Sequence, residues 1–112
     1  MADDQELDFI NAAENMDTIS KPQRRQILAS MLGRSQQYWV ELAGRIWAAE
    51  AIGYLSRRDK GHFNNILAFE RSAHLRDPNY IQSLSDRDVG RMILQWGRIL
   101  KCERMAAASS ER

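Results

Sequence analysis

The chain has 112 residues, of which 44% are apolar and 28% are charged, and its formal net charge is +1. This length allows one domain with one modest core, and the composition excludes wholesale disorder. The near-zero net charge excludes the overall basic footprint that is typical of nucleic-acid-binding domains.

The cysteine content and the hydropathy of the chain indicate the cellular compartment. Cys102 is the only cysteine, so it cannot form a disulfide within the chain. No apolar run approaches the roughly 18 residues of a membrane-spanning helix. The N-terminus lacks the basic-then-apolar pattern of a signal peptide. These features predict a reduced, cytoplasmic protein that is not inserted in a membrane.

The first two helices are predicted from apolar spacing and capping residues. Apolar residues at steps of three predict a short amphipathic helix over about 4–16, with the stripe Leu7, Ile10, Ala13 and Met16. Ser20 and Gln23 form a capping-box pattern that begins a second helix, and Pro22 lies in its first turn. Gly33 is predicted to stop that helix in the left-handed conformation.

The third helix, about 35–56, carries unusually little polar surface. One apolar stripe comprises Trp39, Leu42, Ala43, Ile46, Ala49 and Gly53, and an adjoining stripe comprises Val40, Trp47, Ala51 and Tyr54. A helix that is apolar nearly all round is predicted to be buried on more than one side. Among its few charges, Arg45 is spaced to pair with Glu41, and Glu50 is expected to pair with an arginine at the rim.

The remaining elements complete a helical plan. Residues 56–61 are predicted to form a charged loop, and a fourth helix is predicted over 62–75. Asp77 and Pro78 open a short helical turn, and Ser85 with Asp88 forms a second capping box. The last helix, about 86–105, directs inward Val89, Met92, Ile93, Trp96, Ile99, Leu100 and Glu103.

We therefore predict an all-α fold: a small bundle of about five helices with two long helices, at about 35–56 and 86–105. Residues 1–105 would form a single domain, and residues 106–112 a flexible tail.

The sequence predicts no catalytic, cofactor-binding or metal-binding residue. His62 and His74 lie twelve residues apart and have no cysteine or carboxylate neighbours at ligand spacing. The six glycines are scattered singly, so no phosphate-binding loop is present. A binding protein is favoured over an enzyme, with no cofactor expected.

One binding hypothesis is a DNA-binding helix-turn-helix over about residues 28–42. Ala29, Gly33, Ser35 and Trp39 match that motif at the helix crossing, the turn, the second-helix cap and the buried position. Glu41 departs from it, because a carboxylate on the second helix would face the phosphates of DNA. The sequence therefore favours a partner other than nucleic acid.

The other hypothesis is protein binding. A small domain can cover only part of so apolar a helix, and an exposed apolar patch usually marks an interface. The predicted interface residues are Tyr38, Trp39, Ile46, Trp47, Tyr54 and Leu55. Self-association through long helices predicts a homodimer.

In size, helical plan and lack of catalytic motifs, the chain resembles the small helical antiactivators of bacterial quorum sensing. The apolar helix 35–56 is the kind of element that such a protein uses. The resemblance implies a regulatory protein that binds and inactivates a LuxR-type transcription factor by protein contact. Small phage-encoded inhibitors of bacterial systems share the same general plan and form an alternative.

Overall fold

The computed structural model describes residues 4–61 and 77–110, and every regular element among them is helical. The named elements are α1 (Asp4–Glu14), a 3-10 turn (Met16–Thr18), α2 (Lys21–Leu32), α3 (Gln36–Ala51), α4 (Pro78–Ser83) and α5 (Asp86–Ser110). Residues 57–61 are helical as well. The predicted all-α class is confirmed. The predicted helix over 62–75, with its two histidines, lies outside the described residues.

The longest helix, α5, lies at the centre of the packing and contacts α1, α2 and α3. Its predicted inward face is buried, with Val89, Ile93, Trp96, Ile99 and Leu100 in the core and Met92 packed against it. The rings of Trp96 and Trp39 of α3 meet edge to face, with centroids 6.1 Å apart at an interplanar angle of 81°. Two large aromatic side chains thus join the two long helices.

Helix α1 packs so closely on α5 that a side chain at Gly97 would require the two helices to shift. An ideal Cβ atom built on Gly97 would lie 2.3 Å from the Cβ of Ala13. The side of α1 that is buried carries Glu6, Phe9, Ile10 and Ala13. The predicted stripe is therefore wrong at Leu7, which is 37% exposed, since Phe9 takes its place on the buried side of α1.

Local capping determines where α2 and α3 begin. The Ser20 hydroxyl accepts a hydrogen bond from the Gln23 N–H, and the Gln23 side chain accepts one from the Ser20 N–H, so the predicted capping box is confirmed. Ser35 caps α3 by accepting from the Tyr38 N–H. The prediction of a left-handed Gly33 is wrong: its φ is −82°, and the chain passes directly from α2 into the cap of α3.

The end of α3 is set by Gly53, which has a φ of 87°. The Tyr54 N–H donates to the Ala49 carbonyl, and the Gly53 N–H donates to the Glu50 carbonyl. This pair of bonds is a Schellman motif, in which glycine takes the left-handed conformation at no steric cost. Helix α3 therefore ends at Ala51, earlier than the predicted residue 56.

The predicted charged loop at 56–61 is wrong for residues 57–61, which are helical. Ser56 is the cap: its hydroxyl accepts from the Asp59 N–H, and its carbonyl accepts from the Lys60 N–H. Ser56 and Asp59 repeat the Ser-x-x-Asp pattern that begins α5. The charges at this site mark a helix start.

The predicted caps near α4 and α5 are confirmed. Asp77 accepts from the Asn79 N–H at the start of α4, and Ser85 accepts from the Asp88 N–H at the start of α5. Helix α5 continues to Ser110, and Ala106 is buried in the core. The structure thus places helix where the sequence predicted the start of a flexible tail.

Candidate protein-binding surface

The six residues predicted to form an interface divide between the core and the surface. Four of them, Tyr38, Trp39, Ile46 and Leu55, are at most 8% exposed. Their side chains pack within the domain and offer a partner almost no area, so the structure corrects their assignment. The other two, Trp47 and Tyr54, are 53% and 37% exposed and stay candidates for contact with a partner.

The division follows the helical repeat of α3. Trp39, Leu42, Ile46 and Ala49 recur at steps of three and four and face the core. The opposite side of the helix carries a second set at the same spacing, which we call the α3 outer face: Val40, Gly44, Trp47, Ala48, Ala51 and, just past the helix end, Ile52. All six are exposed. The predicted second stripe therefore exists, and it points away from the core.

The α3 outer face combines large and small apolar residues, with the exposed Glu41 beside Gly44 and Ala48 as its charged neighbour. Val40, Trp47 and Ile52 are each more than half exposed. Between them, Gly44 has no atom within 4 Å of the position that a Cβ would occupy. Small residues leave room for another backbone to approach, while the large ones supply contact area. The geometry is that of a surface suited to an apolar helix.

Behind this face, a buried ionic network joins α1, α3 and α5. The guanidinium group of Arg45 donates two hydrogen bonds to the Glu103 carboxylate, at 2.8 and 2.7 Å, and two to Glu6, at 2.8 and 3.4 Å. The Tyr38 hydroxyl also donates to Glu6, at 2.7 Å. Glu6 and Glu103 are at most 2% exposed, and Arg104 lies 3.4 Å from Glu6.

The network is balanced, since two guanidinium groups meet two carboxylates. Its hydrogen bonds to Glu103 and then to Glu6 outweigh burial and raise the pKa of Arg45 above its usual value. Arg45 therefore stays charged over the whole working range of pH. These charges hold three helices together.

The sequence-based pairing is wrong for two charges of α3. Arg45 pairs with Glu6 and Glu103 in place of Glu41, whose carboxylate accepts a hydrogen bond from the Gln37 amide. Glu50 pairs with Lys60, at 3.6 Å, in place of the predicted arginine. The sequence does contain a signal of the ionic network: Glu103 is a carboxylate within the apolar series of α5. A buried charge of this kind requires a partner from another helix.

The helix-turn-helix segment has the predicted outline, with α2, a short turn and α3. Its nearby basic residues, however, are used within the fold. Arg24 donates to the carbonyls of Met16 and Ile19. Arg34 lies 3.6 Å from the centre of the Tyr38 ring.

Arg25 ties α2 to the α4–α5 connection. It donates to the carbonyls of Ile81 and Leu84 and to the Asp86 carboxylate. Lys21 lies 3.3 Å from the same carboxylate. Arg25 and Lys21 lower the pKa of Asp86 below its usual value. The basic stretch of α2 thus serves internal contacts, which weakens its use against phosphates.

Residues 4–61 and 77–110 contain neither a metal-binding cluster nor a membrane-spanning helix. Within these residues, no three His, Cys, Asp or Glu side chains come together to hold a metal ion. None of the helices in the same ranges has the length and apolarity required to cross a membrane. The α3 outer face is the feature of this part of the chain that most resembles a binding surface.

Comparison with known proteins yields no match: no family model, curated protein or solved structure is similar to the chain.

Proposed function

We propose that this chain is a small, non-enzymatic regulatory protein that binds a protein partner through the α3 outer face and inactivates it by covering its surface. One observation carries the proposal: three large apolar side chains are each more than half exposed, with Val40 and Trp47 two turns apart on one side of α3 and Ile52 at its end. Exposed apolar patches on small domains usually mark interfaces, and tryptophan is prominent among residues that dominate binding energy.

The shape of the face favours a helix as the element that it binds. Gly44 and Ala48 lie one turn apart and form a low strip beside Val40 and Trp47, so the backbone of another helix can come close while the larger residues pack against it. The expected partner element is an amphipathic helix with its apolar side turned to α3. In its most specific form, the proposed partner is a cytoplasmic bacterial transcription regulator, as the resemblance to antiactivators implies.

A second copy of the chain also fits this face, so we include a homodimer in the proposal. A two-fold antiparallel pairing centred between Arg45 and Ile46 places Trp47 opposite the second copy's Gly44. The same pairing places Val40 opposite the second copy's Ala51. Large residues then meet small ones at both contacts, as a self-complementary two-fold interface requires. Dimerisation and partner binding would use one surface and compete.

DNA binding through residues 28–42 is the alternative. It has the helix-turn-helix outline in its favour. Against it stand Glu41, which is exposed on the second helix, and the internal use of Arg24 and Arg25. A specific complex with duplex DNA in a mobility-shift assay, weakening steeply as salt rises, would favour this alternative.

The test is a comparison of two tryptophan variants and one methionine control. Trp47→Ala should weaken partner binding by about 2 kcal/mol or more, because large aromatic residues at an interface centre tend to dominate the energy. Its melting temperature should change little, since Trp47 is 53% exposed. Trp39→Ala should instead cost about 3–5 kcal/mol of stability, because that side chain is buried.

The control is Met105→Ala, which removes a 53% exposed apolar side chain from α5 and should leave binding intact. The partner is first captured from a bacterial lysate on the immobilised chain and identified by mass spectrometry, and its affinity is then measured for each variant. Full binding by a normally folded Trp47→Ala variant would place the site elsewhere.

A further inference from the structure

A cleft separates the helical stretch 57–61 from the middle of α5, away from the α3 outer face. Its volume is about 850 Å³, and it is lined by Arg58, Asp59, Arg91, Leu94, Gln95 and Arg98. The four α5 residues recur at steps of three and four, so they form one face of that helix. Ser56, which also borders the cleft, caps the opposite wall.

Among the described residues that line the cleft, positive charges outnumber negative ones. Arg98 pairs with Asp59 in a close salt bridge, and the Asp59 carboxylate also accepts a hydrogen bond from the Ser56 hydroxyl. This pair fixes the two walls against each other. Arg58 and Arg91 add two further positive charges to the lining. Arg91 is well placed to bind an added anion, because its side chain is 74% exposed and its contact with Asp88, at 3.9 Å, is loose.

The cleft also contains an exposed apolar side chain. Leu94 is 54% exposed and lies one turn from Arg91 and one turn from Arg98 along α5. An apolar residue between guanidinium groups favours a ligand that presents carboxylates on both sides of an apolar side chain. A free phosphate or acetate ion would use the arginines alone and leave most of an 850 Å³ cleft empty.

We propose that this cleft binds an acidic segment of a protein, in which carboxylates flank an apolar residue that packs on Leu94. Guanidinium groups bind carboxylates with directed, paired hydrogen bonds, which suits this ligand class. Nucleic acid fits less well, because the Asp59 carboxylate would face phosphates and the lining residues that the structure describes include no aromatic ring on which bases stack. The protein nature of the ligand rests on the proposed function, but the surface is separate from the α3 outer face.

The experiment measures fluorescence anisotropy of a labelled peptide built of glutamates with interspersed leucines. Two matched probes accompany it: the same peptide with glutamine in place of every glutamate, and a single-stranded oligonucleotide. The acidic peptide should bind the wild-type chain, more weakly at high salt because exposed charges are screened. The glutamine peptide should bind at least about tenfold more weakly, since it lacks the carboxylates.

The variants locate the site. The double variant Arg58→Gln/Arg91→Gln should weaken binding of the acidic peptide by about tenfold, as expected for the loss of two exposed ion pairs. Arg87→Gln removes an exposed arginine one turn before Arg91 and outside the lining, so it should change nothing. Arg98 is left intact, because its removal would strand Asp59 without its salt-bridge partner.

The apolar contact has its own pair of variants. Leu94→Ala should weaken binding about threefold or more, whereas Met105→Ala, at an equally exposed residue of α5, should not. Trp47→Ala should leave peptide binding unchanged, which separates this site from the proposed α3 surface. Thermal melts of all variants should match the wild type, because the substituted side chains are exposed.

Three results would overturn the proposal. One is equal binding of the acidic and glutamine peptides. Another is equal weakening by Arg87→Gln and by the double variant, which would show that charge acts without a defined site. The third is tighter binding of the oligonucleotide than of the peptide, with the same dependence on Arg58 and Arg91, which would assign the cleft to nucleic acid. Loss of partner binding in Trp47→Ala with intact peptide binding supports both surfaces independently.

Discussion

Arg45 joins three helices through its side chain. It starts on α3 and reaches one carboxylate from α1 and one from α5. Without it, Glu6 and Glu103 would be two buried carboxylates with a reduced supply of positive charge. Burying unpaired charge is costly, so the three helices depend on a single guanidinium group for part of their arrangement.

We expect Arg45→Ala to lower the free energy of unfolding by about 2–3 kcal/mol. Breaking a fully buried ion pair costs about 3–5 kcal/mol. The smaller figure applies because the Arg45 side chain is 41% exposed, so water can partly replace it. Denaturant unfolding followed by circular dichroism measures the change.

The matched control is Glu41→Gln on the same helix. Glu41 is exposed and accepts a hydrogen bond from Gln37, which a glutamine oxygen can also accept. Stability should therefore stay within about 0.5 kcal/mol of the wild type. If Arg45→Ala were as mild as this control, the network would contribute little to folding.

At the scale of elements, α1 and α5 approach each other closely at Gly97. This glycine allows the Ala13 side chain to lie where its own Cβ would be. Gly90 lies on the same helix, but no atom lies within 4 Å of the position that its Cβ would occupy. One glycine of α5 is therefore crowded and the other is not, and substitution by alanine should change stability in opposite directions at the two positions.

We expect Gly97→Ala to lower stability by about 1–3 kcal/mol, because the added methyl group forces α1 and α5 apart. Gly90→Ala should raise stability by about 0.5–1 kcal/mol, since alanine loses less entropy in a helix than glycine. Chemical unfolding of both variants gives the two signs directly. Adding Ala13→Gly to Gly97→Ala should recover part of the lost stability, because it removes the Ala13 Cβ atom with which the new methyl group clashes. Stabilisation by both substitutions would contradict the packing of α1 on α5.

At the scale of the whole molecule, the α3 outer face lies on the opposite side of α3 from the core, and the charged cleft lies on α5. A domain with two distinct surfaces can bind a partner at two points or bind different ligands at each. Their independence is useful experimentally, since variants on α3 and on α5 can be measured against one another.

We expect the chain to sediment as a dimer at micromolar concentration and Gly44→Gln to shift it to the 12.9 kDa monomer. The space above Gly44 is open in one copy, but a glutamine side chain would fill the strip that receives Trp47 of the second copy. Gly90→Gln makes the same change at an open glycine of α5 and should leave the dimer intact. A wild-type chain that sediments as a monomer at every concentration would remove the homodimer from the proposal.

Much of the fold was accessible from sequence because its signals are local. Ser20, Ser35, Asp77 and Ser85 cap the helices that they are predicted to begin. The inward series of α5 follows from its spacing alone. Two predictions near residue 56 were wrong, the end of α3 and the charged loop that follows it. The local signals, Gly53 and the Ser56 cap, are present in the sequence. The mostly apolar stretch from Trp47 to Leu55 nevertheless favours a longer helix.

The sequence alone determined the helical class, the capped starts and the existence of two apolar stripes on α3, because hydrogen bonds and periodicity within a few residues govern these features. Only the tertiary structure decided which stripe is buried. Trp39 and Ile46 face the core, while Val40 and Trp47 face outward, since the core has room for one side of the helix. It also decided that Arg45 joins Glu6 and Glu103. Those partners lie far away in the chain, and contacts at such separation depend on how whole helices pack.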